Sequence, residues 1–127
     1  MPGKLLFEYA IIRIVPRVER EEFLNVGVIL YCRDRKFLEV KYRLDPDRLC
    51  QLHPDCDIQS IANNLQSFND IAQGKKGAGP ISLLSPPERF RWLTAMRSTV
   101  IQSSKVHPGL CTDPADMLDH LFKTLVL

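Results

Sequence analysis

The sequence predicts a small α+β protein in which an antiparallel sheet of three to four strands is built on an N-terminal hairpin, with helices packed mainly on one face. Two observations predict this class. Residues 5–15 and 23–32 are apolar runs rich in β-branched and aromatic residues, separated by the charged stretch PRVEREE, as expected for a hairpin. Later segments instead carry apolar residues at helical spacing. Strands followed by helices are typical of α+β architecture.

The first predicted strand is almost continuously apolar, with only Glu8 and Arg13 as charges. This pattern predicts a central strand that is covered on both faces. Residues 37–44 alternate between apolar and charged side chains, which predicts a half-exposed edge strand. Inside the second strand, Gly27 predicts a bulge or the close approach of another backbone. Asn25 either supports the turn or binds a ligand, and we favour a structural role for both residues.

Start signals predict four helices. Asp45 followed by Pro46 begins the first helix, Asp57 caps a helix over 58–73, and Asp113 caps the last helix. Residues 85–88 read Ser-Pro-Pro-Glu, the form of a capping box, and predict a short helix that runs to about residue 96. Between the last two helices, residues 99–102 (TVIQ) predict a fourth short strand.

Length and composition predict one domain over residues 1–127, with 45% hydrophobic and 25% charged residues. The formal net charge of +2 is weak support for nucleic-acid binding. Because we find neither a signal peptide nor an apolar run long enough to cross a bilayer, we expect a cytoplasmic protein without a membrane partner. The four cysteines are then expected to be reduced thiols. We expect no cofactor, and the oligomeric state stays open.

Arg13 is the sharpest local anomaly, because an unpaired charge within an apolar strand is costly. It is either an anion-binding residue on a rigid sheet or a partner in a structural ion pair. The candidate partners are Glu19, Glu21 and Glu22, or a carboxylate from a neighbouring element. We favour the ion pair, since buried charges usually have partners.

A second group of candidates lies downstream, in the segment RFRWLTAMR. We predict a binding surface here because a planar cation beside an aromatic ring can hold a phosphate and stack on a base. Together with two arginines of the hairpin, these residues are expected to form one surface for an acidic or phosphorylated ligand or partner. The candidate binding residues are Arg13, Arg17, Arg89, Arg91, Trp92 and Arg97. The competing interpretation is an amphipathic segment anchored by its aromatic residues, with solvated arginines.

Two patterns invite a catalytic or metal interpretation. Cys50, His53 and Cys56 form C-x2-H-x2-C, but Pro54 interrupts the motif and zinc requires a further ligand that we cannot assign. We therefore predict no metal site. His107 and Cys111 are four positions apart, but no third group is assignable to a nucleophilic triad, so we name no catalytic residue.

Two segments carry a resemblance to a known family. YAIIRIVPRVEREEFLNVGVILYC and, far downstream, RFRWLTAMRSTVIQSSKVHPGL resemble, in order and separation, the bacterial family known as domain of unknown function 3037. Met96 departs from the resemblance, which leads us to expect Pro there. The resemblance implies a compact bacterial protein without assigned catalytic residues. It also implies a partner, because members are often encoded beside proteins that resemble HipA-type kinases.

These observations favour a non-catalytic accessory or binding protein whose arginine-rich surface engages a partner, with a kinase-like protein as the candidate. The first alternative is a module that binds nucleotides or nucleic acid through the same arginines. A small hydrolase or nuclease is the third interpretation. The sequence thus points away from an enzyme without naming the ligand.

Overall fold

The computed structural model describes residues 4–95 and 100–127 and shows an α+β fold with an N-terminal β-hairpin, as predicted. The strands are β1 (Leu5–Ile14), β2 (Leu24–Cys32), β3 (Phe37–Tyr42), β4 (Ile101–Ser103) and β5 (His107–Cys111). The helices are α1 (Pro46–Leu52), α2 (Ile58–Ala72), α3 (Pro86–Leu93) and α4 (Pro114–Leu125). In the described ranges, no helix combines the length and the apolar character needed to cross a bilayer.

The sheet is antiparallel throughout and has the order β3-β2-β1-β4, with β5 also paired to β1. β1 is therefore central and β3 lies at an edge, and both predictions are confirmed. β4 pairs with Ile12–Ile14 of β1, and β5 pairs with the earlier half of the same strand. Ser104 joins the two segments, since its N–H donates to the carbonyl of Ile11 while its hydroxyl accepts the N–H of Ile11.

Both faces of the sheet are covered, mainly by helices on one side. One buried cluster joins the sheet residues Ile12, Ile14 and Ile29 to residues of α1, α2 and α3. The other cluster joins Val28 and Leu30 to α4. Three of the four helices thus share a face, which confirms the predicted arrangement and explains why β1 and β2 are apolar on both sides.

A β-bulge interrupts the hairpin where the second strand was expected to be irregular. The register runs from Ile12 opposite Gly27 to Arg13 opposite Asn25, so Val26 is the extra residue. A Cβ on Gly27 would lie 2.8 Å from the carbonyl oxygen of Lys41, so only glycine fits against β3. The predicted bulge and close approach are both present, and the bulge places Asn25 directly opposite Arg13.

The last part of the sheet differs from the expectation in two ways. The predicted strand over 99–102 is found as β4 at Ile101–Ser103, with residues 96–99 outside the described ranges. A further strand, β5, was not predicted, because Pro108 and Gly109 are poor strand formers. Pro108 is tolerated because β5 lies at an edge, where its missing N–H breaks no ladder bond. Gly109 is required because a Cβ there would lie 2.5 Å from Cζ of Phe7.

The helix start signals are largely confirmed. The side chains of Asp45, Asp57 and Asp113 each accept a backbone N–H in the first turn of their helix. Ser85 precedes α3, but its hydroxyl donates to the Glu88 carboxylate at 2.6 Å, so the expected reciprocal capping box is replaced by a bond between the two side chains. α3 also ends earlier than predicted, at Leu93.

Candidate functional site

Arg13 lies over an aromatic ring. Its guanidinium carbon is 4.3 Å from the centroid of the Phe23 ring, and its buried Nε has no hydrogen-bond partner among the described residues. Glu19 and Glu22 pair instead with their neighbours Arg17 and Arg20. Within the described ranges Arg13 forms no ion pair, so the pair predicted between Arg13 and Glu19, Glu21 or Glu22 is not formed. The reason is geometric, because the short turn lets each of these two glutamates reach the arginine two positions before it.

Asn25, directly opposite Arg13, takes part in holding the end of α4. Its amide Nδ2 donates to the carbonyl of Leu125 at 3.3 Å, and Arg48 donates to the carbonyl of Val126 at 3.5 Å. The C-terminal carbonyls of a helix lack intrahelical partners and carry partial negative charge, so amide and guanidinium donors stabilise them. This contact supports the structural role that we favoured for Asn25.

Arg89 also has a structural contact. Its Nη1 donates to the carbonyl of Leu84 at 2.6 Å, and its guanidinium lies 3.2–3.4 Å from the position that a Cβ on Gly74 would occupy. Gly74 has φ +68°, the left-handed conformation expected at the end of α2. Arg89 therefore ties the end of α2 and the loop before α3 together.

Two further candidates line separate concavities. Arg17 lies beside a polar pocket of about 260 Å³ between the hairpin turn and the α1–α2 loop. Trp92 lines an apolar groove of about 530 Å³ formed by α2, α3 and β4. Two residues of this groove, Ala95 and Val100, flank residues 96–99, and Arg97 falls in that range outside the described structure. The groove therefore carries no assignment.

Arg91 lines a third concavity, which contains two arginines and three carboxylates and which we name the Arg33–Arg91 cleft. It has a volume of about 530 Å³ and lies where the short helix α3 leaves the beginning of β1 and the end of β2 uncovered. This size falls within the range of ligand sites. The cleft is lined by Leu6, Phe7, Glu8, Tyr31, Arg33, Asp34, Pro87, Glu88 and Arg91.

The charged groups of this cleft are largely unengaged. Among the described residues neither Arg33 nor Arg91 forms an ion pair, and Glu8 and Asp34 form none either. Glu88 accepts a hydrogen bond from the Ser85 hydroxyl and, among the described residues, forms no ion pair with Arg91 one turn later on α3. The cleft thus presents guanidinium and carboxylate groups that are free to meet a ligand.

The apolar part of the cleft continues onto the sheet edge. Tyr31, 8% exposed, stacks on Phe90 of the core with ring centroids 5.5 Å apart. Leu6 and Leu110 are cross-strand partners on β1 and β5, and they are 60% and 58% exposed. Directly opposed residues project from the same face, so the two leucines form an exposed apolar pair beside the cleft.

The predicted single arginine surface does not form. Side chains alternate along β1, so Arg13 shares the face of Phe7 and Tyr9, which pack with α4. Arg91 belongs to α3, on the opposite face. The cleft also lies at the beginning of β1, about 16 Å along the strand from Arg13 at some 3.3 Å per residue. Arg13 and Arg91 are therefore on different sides of the sheet.

Arg33 was missed as a candidate. It lies in RDRK, the polar turn between β2 and β3. The turn RDRK with two arginines was the available signal. The turn lies beside α3 because Tyr31, near the end of β2, stacks on Phe90 of that helix.

The patterns considered for metal binding or catalysis do not assemble. The described ranges hold no group of three His, Cys, Asp or Glu side chains able to bind a metal ion. Burial, reinforced by the neighbouring Cys50 thiol, raises the pKa of Cys56 above its ordinary value. His107 stacks on Tyr9, while Cys111 lies four residues further along the extended strand β5, about 13 Å away. His107 and Cys111 cannot form a catalytic pair at that distance.

The architecture defines a small α+β protein with an antiparallel sheet, covered on both faces, and a mixed-charge surface cleft. The chain belongs to a family described as protein of unknown function, DUF3037, whose profile matches residues 9–126. The resemblance seen in the sequence is thereby confirmed. No curated protein and no solved structure matches the chain.

Proposed function

We propose that this chain is a non-catalytic binding protein that engages a partner protein through the Arg33–Arg91 cleft and the adjoining pair of Leu6 and Leu110. One observation carries the proposal. Two guanidinium groups without ion-pair partners among the described residues lie beside exposed apolar side chains. Arginine is enriched at protein interfaces and at their energetically dominant positions.

The surroundings of the arginines favour a protein partner. A guanidinium can grip a carboxylate in a bidentate manner while its stem covers apolar surface. Leu6 and Leu110 supply an apolar contact that burial would desolvate. The cleft combines an anion-binding element with an apolar one, which is the composition expected of a protein contact.

The resemblance suggests which partner to examine first. A HipA-type kinase, of the kind often encoded beside members of the family, is the candidate, and the complex would then form in the cytoplasm. The proposal itself rests on the cleft. A different protein partner would engage the same residues.

A direct binding measurement tests the proposal. The full chain and a HipA-type kinase from the same host are purified separately, and the kinase is titrated with the chain by calorimetry. Truncation of a dominant interface residue typically costs about 2 kcal/mol or more, which is roughly thirtyfold in affinity. We expect Arg91→Ala and Arg33→Ala each to weaken the complex by about this factor while circular dichroism stays unchanged.

Arg17→Ala is the matched control. Arg17 is an arginine with a 53% exposed side chain that lies in the separate pocket beside the hairpin turn. The control variant should bind like the wild type. Wild-type affinity in both cleft variants, or an equal loss in the Arg17 variant, would overturn the assignment of the cleft.

Nucleotide or nucleic-acid binding is less well supported at this cleft. Glu8, Asp34 and Glu88 lie beside the two arginines and would repel a phosphate backbone. Binding through phosphate contacts would also weaken by orders of magnitude on a modest increase in salt, whereas an interface with an apolar centre should not. For a nuclease, the same three carboxylates would need to hold a metal, and they do not form such a group.

A further inference from the structure

We infer that the partner segment entering the Arg33–Arg91 cleft carries both charges: an acidic side chain for the arginines, a basic side chain for the carboxylates, and an apolar side chain between them. This inference rests on the proposed function and specifies its ligand. It replaces the purely acidic or phosphorylated ligand expected from the sequence with a mixed-charge protein segment.

The balance of charge in the cleft is the first argument. Its lining holds two arginines, Arg33 and Arg91, against three carboxylates, Glu8, Asp34 and Glu88, which gives a net charge of −1. A ligand with only negative groups would therefore be attracted by two groups and repelled by three. A ligand of both signs can place each of its charges against an opposite one.

The availability of these charges is the second argument. Neighbouring opposite charges usually neutralise one another, and the i, i+3 spacing of Glu88 and Arg91 on α3 would permit a pair. The structure instead directs the Glu88 carboxylate to the Ser85 hydroxyl. Arg33, Asp34 and Glu8 likewise have no ion-pair partners among the residues described. Charged groups of both signs are thus available to ligand groups of the opposite charge.

The apolar lining of the cleft is the third argument, because it favours an apolar side chain in the central part of the ligand. Leu6, Tyr31 and Pro87 line the cleft together with the charged residues. A volume of about 530 Å³ accommodates a short peptide segment. An apolar side chain of the partner would contact Leu6, Tyr31 and Pro87.

A set of synthetic peptides tests the inference on the full chain. Three short peptides share one apolar centre and differ in their flanks: one carries glutamate on one side and lysine on the other, one is acidic and carries phosphoserine, and one is basic. Each is titrated into isotope-labelled protein, and the backbone amide shifts are followed by NMR. The mixed-charge peptide should bind most tightly, with shifts concentrated at Arg33, Tyr31 and Arg91.

Neutralising variants give the sharper readout, because the sign of their effect differs between ligand classes. For a mixed-charge ligand, Glu8→Gln and Asp34→Asn remove an attraction and should weaken binding about tenfold. For a purely anionic ligand the same changes remove a repulsion and should strengthen binding. Asp55→Asn, in the pocket beside the hairpin turn, is the matched control and should change nothing.

The outcomes separate the inference from the proposed function. Tightest binding by the phosphorylated peptide, strengthening by Glu8→Gln, or the absence of shifts with all three peptides would overturn the inference. Kinase binding that is sensitive to Arg91→Ala but strengthened by Glu8→Gln would overturn the inference alone. Kinase binding that is insensitive to Arg91→Ala and Arg33→Ala would overturn the proposed function itself.

Discussion

Arg13 stacks on Phe23, with its guanidinium carbon 4.3 Å from the ring centroid. This contact gives the one basic residue of β1 a partner that is aromatic instead of anionic. A cation over the face of a ring is attracted by the negative potential of the π system. It also leaves the glutamates of the hairpin turn to pair with Arg17 and Arg20.

The first prediction concerns this stack. Phe23→Leu should lower the free energy of unfolding by about 0.5–1 kcal/mol, because it removes the cation–π contact while retaining an apolar side chain. The measurement is urea denaturation, repeated in an Arg13→Met background, where the same change should cost less. Glu22→Gln is the control and should cost less than Phe23→Leu. A larger effect of Glu22→Gln would show that an ion pair, and not the ring, stabilises Arg13.

The second prediction concerns Ser104, which is 6% exposed. Its hydroxyl accepts the N–H of Ile11 at 2.8 Å where β4 gives way to β5. Ser104→Ala leaves that N–H without its acceptor and should destabilise the protein by about 1–3 kcal/mol. Hydrogen exchange at the Ile11 amide should accelerate at the same time.

Ser103→Ala is the neighbouring control for Ser104. The Ser103 hydroxyl donates only to the carbonyl of Ser104, which can bind water instead. We expect a clearly smaller loss of stability from this change. Equal losses in the two variants would refute the role given to the Ser104 hydroxyl.

A third prediction follows from the fit of Gly109 under the Phe7 ring. The methyl group that Gly109→Ala adds would lie 2.5 Å from Cζ of Phe7, so the ring must move. The free energy of unfolding should therefore fall by about 1–3 kcal/mol. In a Phe7→Leu background the same change should cost much less. Additive costs in this double-mutant cycle would mean that the loss has another origin.

The fourth prediction is a pH dependence. Lys41 of β3 donates to Asp119 of α4 at 2.5 Å, and this hydrogen bond holds the pKa of Asp119 below its ordinary value of 3.8. Because the folded-state pKa is lowered, the contribution to stability is present above pH 3.8 and is lost as the pH falls through the folded-state pKa. Asp119→Asn should therefore be slightly less stable than wild type near neutral pH and equal to it in acid.

Denaturation of both proteins across pH 2–7 measures that difference, at about 0.05 M and again at about 1 M salt. Both side chains are largely exposed, so the effect should be small and should shrink at high salt. A stability gap that persists unchanged down to pH 2 would point to packing of Asp119 instead of its charge.

Much of the fold could be predicted from residues that act locally. A strand or a cap depends on the chain within a few positions, as at Asp57 on the first turn of α2. β5 escaped prediction because Pro108 and Gly109 disfavour a strand locally, and pairing with β1 outweighs that preference. The candidate site could be predicted only in part, since Arg91 was named but Arg33 was not.

The sequence by itself determined most of the strands and the helix starts, because side-chain periodicity and capping chemistry are properties of neighbouring residues. Only the tertiary structure decided which arginines meet. Arg13 and Arg91 are separated by the sheet, since alternation along β1 turns Arg13 toward the α4 face while α3 packs on the other. Arg33 and Arg91 share a cleft because Tyr31, near the end of β2, stacks on Phe90 of α3 and so brings the turn after β2 beside that helix. Tertiary contacts of this kind depend on strand order and helix packing, which bring together residues that are far apart in the chain.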